Sequence, residues 1–359
     1  MQVSEVDADV LRRLAELRAP AGTRVLSMYL NLDPSEIPTG EARATAITSV
    51  VDDARRRAED ADLGHDARIA LREDVERARE ALTSDDLPQG AHGLALFAAK
   101  PADLFEVLRL PRHVDNDVAV APRAHIEPLA PFAEREPLAI VLADRREGRI
   151  LVGTRDALVE RRPIRDDTHG QHDQGGWSQL RYERSVEEEA QAHVRRVVDA
   201  LVRRHDEEPF AHVLLGAPDE VIGALRDALP QRLRERVAGR IAVSVSPAQA
   251  TSDDVLGAAL EQLDHVDRAR EREALDRVAA GVGSPGGHAV AGLDEVLRAL
   301  EERRVETLLY SDAFAAADGN ADTLDEAIAA TVAQSAHVMR VRFHDDLDAR
   351  GGVAALLRF

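Results

Sequence analysis

The residues best placed to do chemistry stand together between His169 and Arg184, in the run HGQHDQGGWSQLRYER. Gly175 and Gly176 give the backbone freedom immediately before a helical pattern begins, and Trp177, the only tryptophan in the chain, follows them directly. Several chemistries can be set aside. His169 and His172 have a spacing that could touch a metal, but no third ligand converges on them in sequence, so no metal is expected. Asp166, Asp167 and Asp173 are carboxylates in a polar loop, where solvation is the ordinary fate and acid–base catalysis the exception. What is left is a glycine loop running into a helix that carries Arg181 and Arg184. From Arg161 to Arg204 nine arginines face eight acids, a net of +1 within a chain of net charge −20. A local basic face is compatible with phosphate contacts there, whereas the overall charge argues against broad nucleic-acid binding.

The elements that must position this loop follow from length and pattern. At 359 residues and 44% hydrophobic content, two or three domains with their own cores are expected. The chain has no cysteine, which excludes disulfides and thiolate metal sites and fits a reducing compartment. The amphipathic, acidic start MQVSEVDADVLRRLAELRAP has no apolar run suited to a signal or a bilayer span. A soluble cytoplasmic protein is expected, with neither membrane nor DNA as partner and no cofactor. GVGSPGG at 281–287 lacks the Lys-Ser/Thr ending and preceding strand of a phosphate loop, so nucleotide binding is not expected there.

Periodicity predicts a helix over 7–18, a strand over 24–32, helices from Thr39 and over 67–82, and two strands within 93–110 around a turn at Lys100-Pro101. The proline-rich, weakly periodic stretch that follows marks a boundary near 130. A second unit opens with strands over 138–143 and 149–153 joined at Glu147-Gly148, with alternation continuing to Val159. Ser178 to Arg204 reads as a long helix with an apolar stripe of Val186, Ala190, His193, Val197 and Leu201. The strand HVLLG, a helix over 219–229 and the strand RIAVSVS then suggest an α/β sandwich with parallel neighbours. After Pro247 come a helix over 252–279, the helix GLDEVLRALEERR, the strand VETLLYS, a loop AFAAADGNAD, a helix over 324–335, the strand HVMRVRF and the closing GVAALLRF. The expected fold class is α/β, α+β in the first domain, with domains at 1–130, 131–247 and 248–359.

Four stretches carry a family resemblance: HGLALFAA at 92–99, PLAIVLADRREGRILVGT at 137–154, the glycine loop entering SQLRYERSVEEEAQAHVRRV, and GLDEVLRALEERRVETLLYS. Together they resemble the archaeal and eukaryotic class-1 peptide-chain release factors and Pelota, and more closely the bacterial branch of that family. The resemblance implies a three-domain architecture with a mixed-sheet sandwich in the middle. It also implies a first domain facing the decoding centre, a middle domain reaching the peptidyl-transferase centre and a third binding partners, a translational GTPase among them.

In the release factors the loop reads Gly-Gly-Gln, then Ser and an Arg-aromatic pair. Here Gly175-Gly176 is followed by Trp177-Ser178-Gln179-Leu180-Arg181-Tyr182, so Trp177 takes the glutamine position and Gln179 lies two residues later. A glutamine just after Gly and Ser is also similar to the loop of the peptidyl-tRNA hydrolases of ribosome quality control. By this resemblance Gly175, Gly176 and Gln179 are the catalytic candidates, and Trp177, Ser178, Arg181, Tyr182 and Arg184 the RNA-binding ones. The implied reaction is ester hydrolysis of peptidyl-tRNA, with the Gln179 amide donating where negative charge develops and orienting water. Arg181 and Arg184 would face phosphates, or pair with Glu187 and Glu188 along the helix; Trp177 would stack on a base, or fold back as an apolar anchor. Two functions stay open: a hydrolase acting on stalled ribosomes, and a non-catalytic A-site-binding rescue or hibernation factor of the Pelota type. No counterpart of the Asn-Ile-Lys-Ser stop-codon motif is present, so codon-specific termination is not expected.

Overall fold

The computed structural model describes residues 3–84, 91–133, 136–165, 179–242, 249–284, 286–317 and 319–359. Its class is mixed α/β, with three sheets. The chain divides into two compact units, one formed by residues 1–134 with 270–359 and the other by residues 135–269.

The first unit begins with β1 (Val3–Glu5) and α1 (Ala8–Glu16), the helix started by Asp7, whose side chain accepts from the Val10 N–H at 2.8 Å. β2 (Val25–Asn31) is buried along its whole length. Its alternate residues therefore serve two cores. Leu26, Met28 and Leu30 pack on α2 (Gly40–Asp60) and α3 (His65–Leu82), through Val50, Val51, Ala54, Leu71 and Val75. Val25 and Tyr29 face the other way. β3 (Gly93–Ala99) and β4 (Leu104–Leu110) form a hairpin around a one-turn 3-10 helix at Lys100–Ala102, at the expected turn. The proline-rich stretch is not structureless. It holds β5 (Asp117–Ala121), which pairs antiparallel with β2 and gives the strand order β1-β4-β3-β2-β5, and ends in the short helix α4 (Ala130–Ala133). Its alternating Val118 and Val120 are too short a run among prolines to stand out, and they join the α2–α3 core once β5 pairs with β2.

In the second unit, β6 (Leu138–Ala143) and β7 (Glu147–Gly153) form a hairpin. The turn lies at Asp144–Glu147, before the Glu147-Gly148 expected, because the Asp144 carboxylate accepts from the Arg146 and Glu147 N–H groups. β8 (Leu158–Arg165) is the edge strand and α5 (Gln179–Glu207) follows. Next come β9 (His212–Gly216), α6 (Asp219–Ala228), α7 (Gln231–Arg234), β10 (Val237–Arg240) and α8 (Ser252–Gly281). The last strand sits upstream of the expected RIAVSVS: Val237 to Arg240 pair parallel with β9, and 243–246 lie outside the described residues. β6 to β9 is parallel too, as expected. The sheet order β10-β9-β6-β7-β8 is covered on both faces. Ala139, Val141 and Ala143 pack on α5 and α6; Leu138, Ile140 and Leu142 pack on Val255, Ala259 and Leu263 of α8.

Returning to the first unit, β11 (Ala289–Ala291), α9 (Leu293–Glu301), β12 (Val305–Ser311), α10 (Asp312–Ala316), α11 (Ala321–Ala333), β13 (His337–Val341) and β14 (Val353–Leu357) complete it. Their sheet has the order β11-β14-β12-β13. The first four residues of AFAAADGNAD, expected to be loop, belong instead to α10, started by Ser311, whose hydroxyl oxygen accepts from the Phe314 N–H at 3.1 Å. One face of this sheet, with Leu308, Tyr310 and Val353, shares a core with Tyr29, Phe97 and Leu108 of the first sheet and with Leu324 and Ile328 of α11.

Candidate functional site

β8 and α5 are the elements that flank the glycine loop. Residues 166–178 lie outside the described residues, and Gly175, Gly176, Trp177 and Ser178 with them. Gln179 is the first residue of α5, and Arg181, Tyr182 and Arg184 follow within its first two turns. In a helix the backbone positions of Arg181 and Arg184, three apart, share a face. Helix geometry also leaves the N–H groups of the first turn without partners inside the helix and sets a positive dipole end there, so Gln179 stands where an anion or a polarised carbonyl is favoured.

α5 is anchored by its later turns. Val194, Val197, Val198 and Leu201 are buried against β6 and β7, and His193 is buried with them. Upstream of His193, Glu188, Glu189 and Gln191 are exposed and Ala190 and Ala192 half-buried. The fourteen residues from Gln179 to Ala192 make about 21 Å of helix at about 1.5 Å each, and the described side chains of α5 begin at Glu188. The packing that fixes α5 needs a glycine opposite it. A Cβ on Gly148 would stand 2.5 Å from Val197 Cγ2. β7 can approach the helix this closely only because that side chain is missing.

The other flank is β8, an edge strand whose register with β7 slips: Gly148 pairs with Ile164, but Ile150 with Arg161. β8 thus carries one extra residue in the interval that contains Pro163, a residue that cannot donate to a ladder and belongs at an edge or bulge. Buried Arg149 ties the hairpin together, donating to both Glu160 carboxylate oxygens at 2.7 and 2.9 Å and to the Ala250 carbonyl at 2.7 Å. At the hairpin's far end Arg155 pairs with Asp267 of α8 at 2.9 Å. These are charge-assisted bonds in half-buried surroundings, and they fix the strand that leads toward the loop.

Among the described residues no cluster of His, Asp and Glu could hold a metal ion, and no helix is long and apolar enough to cross a membrane. A polar cluster with no local sequence signal is also present: Asp117, His125 and Asp325 meet in the first unit, although about 200 residues separate the last two.

Residues 125–264 match the model of the Bacterial archaeo-eukaryotic release factor family 10, a span that includes the loop, both flanking elements and the sheet beneath them. The chain is 27% identical over 201 residues to a peptide chain release factor subunit 1 from Methanosphaera stadtmanae, covering 52% of this chain and 46% of that one. To the protein of the same description from Methanopyrus kandleri it is 27% identical over 214 residues, covering 58% and 51%. The chain therefore spans about half the length of the curated relatives it matches. Among solved structures it is similar to archaeal Pelota in a ribosome-bound model with ABCE1, at 17% identity and a TM-score of 0.46, covering 99% of this chain and 95% of the other.

Proposed function

As a relative of the archaeal and eukaryotic release factors and Pelota, with the bacterial family-10 segment at its centre, the chain is, we propose, a ribosome-associated release-factor-like protein that hydrolyses peptidyl-tRNA on stalled ribosomes. The observation that supports this reading is the position of Gln179 as the first residue of α5, inside the matched segment. In this reading Gly175 and Gly176 let the backbone pass close to the acceptor end of the tRNA. Gln179 donates to the carbonyl oxygen as charge develops on it and orients the attacking water. Arg181 and Arg184 contact phosphates, with Ser178 and Tyr182 beside them and Trp177 stacked on a base. The ribosome and the ribose hydroxyl supply the rest of the environment, so no metal or cofactor is required. The three successive domains 1–130, 131–247 and 248–359 would serve decoding centre, peptidyl-transferase centre and partner, a translational GTPase being the partner expected. The protein would act in the cytoplasm.

The second reading is a non-catalytic factor that occupies the A site during rescue or hibernation. Trp177, standing where the release factors have their glutamine, favours it.

Purified protein added to ribosomes that carry labelled peptidyl-tRNA distinguishes the two. Hydrolysis is expected to release the peptide, and Gln179→Ala to remove most of that activity. Equal rates for the two proteins would exclude Gln179 as the catalytic group. Occupancy without hydrolysis predicts cosedimentation that weakens with salt and on replacing Arg181 and Arg184 by alanine, with no peptide released. Absence of cosedimentation at every salt concentration would remove both readings.

A further inference from the structure

His125 is buried in the first unit, and both its ring nitrogens face carboxylates: Nδ1 is 2.6 Å from Asp325 Oδ2, and Nε2 is 3.2 Å from Asp117 Oδ2. A neutral imidazole donates from one nitrogen only and would turn a lone pair on the other carboxylate. Only the imidazolium satisfies both. The remaining polar atoms are accounted for. Asp325 Oδ1 accepts from the Ile126 and Glu127 N–H groups at 2.9 Å each, the His125 N–H donates to Ser27 Oγ, and the Tyr29 hydroxyl donates to the His125 carbonyl at 2.5 Å with its ring edge-on to the imidazole. Asp325 belongs to α11, Asp117 to β5, and Ser27 and Tyr29 to β2. The cluster therefore joins a C-terminal helix to an N-terminal sheet.

We propose that Asp117, His125 and Asp325 form a charge-dependent clasp: the imidazolium holds α11 on the first sheet, and loss of its proton releases α11 locally. Burial alone would lower the pKa of His125, but the hydrogen bonds to Asp117 and Asp325, with the charges of both, outweigh burial and raise it to about 10. Other ionisable groups also face the cluster. Glu127 accepts from the Tyr310 hydroxyl at 2.9 Å and from Arg340 at 3.3 Å, and Arg340 also donates to Asp312. Arg57 lies 3.9 Å from Asp117, and Arg123 pairs with Glu326 of α11 at 2.9 Å. Burial holds Tyr29 and Tyr310 well above the usual tyrosine range, so both stay neutral in this window. Deprotonating His125 would thus leave Asp325 buried without its cation, a costly state that opening relieves.

The sign follows from linkage. A raised imidazole pKa contributes stability that is complete below the unfolded value of about 6.5 and is lost as pH rises toward about 10. Between those values the opening equilibrium of α11 is expected to shift by about 10-fold per pH unit. The test is amide hydrogen exchange of the whole protein from pH 7 to 10, corrected for intrinsic rates, comparing residues 324–331 of α11 with residues 47–54 of α2, ahead of Arg57. Protection in α11 is expected to fall steadily across the range while α2 stays flat, and His125→Gln, which keeps a donor and loses the charge, is expected to flatten the α11 profile. Unchanged α11 protection, or a fall shared equally by α2, would overturn the proposal. Should the variant not fold, the nitrogen chemical shifts of His125 in the unaltered protein decide: both ring nitrogens protonated at pH 8 supports the clasp, and a neutral tautomer sinks it.

Discussion

In the unit of residues 135–269 the apolar residues of β6 divide between the two sheet faces, and every partner comes from one continuous stretch of chain. In the other unit Tyr29 and Phe97 share a core with Tyr310 and Ile328, from the opposite end of the sequence. Residues 135–269 thus have a core of their own on each face, while one face of the first sheet is completed only by the last ninety residues. The largest effect should come from separating these parts. A fragment of residues 135–269 is expected to melt cooperatively, whereas residues 1–134 alone would leave Tyr29, Phe97 and Leu108 covered only in part, by α1 and residues 124–132, and bind a hydrophobic dye. A sharp melt and no dye binding by residues 1–134 would break the comparison.

A gentler test keeps the chain whole. Ile328 is fully buried in the shared core, so Ile328→Ala removes apolar contacts on both the N-terminal and the C-terminal side. A loss of about 2–5 kcal/mol is expected from chemical denaturation. In the other unit, Gly148→Ala places a Cβ 2.5 Å from Val197 Cγ2 and should cost about 1–3 kcal/mol through overpacking. Val197→Ala makes room for that methyl. The double variant should therefore be less destabilised than the sum of the two, and strict additivity would show that β7 and α5 do not press on each other there.

The same contrast governs what could be read from the residues alone. The strands β6 and β9 were legible as short, wholly apolar runs and the helices α5 and α6 by their apolar stripes, although the β6–β7 turn lies at Asp144–Glu147 and not at the Glu147-Gly148 expected. β5 was not, because its alternation of Val118 and Val120 spans only five residues within a proline-rich stretch and finds its place only by pairing with β2. α10 was hidden among alanines, whose helix preference is strong but whose pattern has no face. The cluster at His125 had no local mark at all: a lone histidine before Ile-Glu-Pro becomes informative only when Asp325 is brought beside it. For the loop, only the residue types and spacing of Gly175, Gly176 and Gln179 can be read, since 166–178 lie outside the described residues and α5 begins at Gln179.

The first unit should also answer to acid. Asp117 is held below the usual carboxylate range chiefly by its hydrogen bond from His125, against the opposing effect of burial. A depressed carboxylate contributes stability that is present above its ordinary value of about 4 and is lost as pH falls through the lowered one. Asp117→Asn is therefore expected to reduce stability at neutral pH and to flatten its decline below about pH 4, measured by denaturant midpoints at each pH. An unchanged acid limb would mean that Asp117 is not the group that titrates.

The smallest effect is expected in the exposed ion pairs between α2 and α3. Arg55 of α2 donates to Glu76 of α3 at 2.8 Å and lies 3.1 Å from Asp52, yet all three side chains are largely exposed. Water screens such charges, and holding three long side chains in place costs entropy, so Arg55→Ala should change stability by no more than about 0.5 kcal/mol. Raising the salt concentration should shrink even that difference. A loss several times larger, insensitive to salt, would mean that α2 and α3 are held together by this pair and not by Val50, Ala54, Leu71 and Val75 beneath it. The contrast between buried polar contacts that join distant segments and exposed ones that decorate a helix pair would then have to be redrawn.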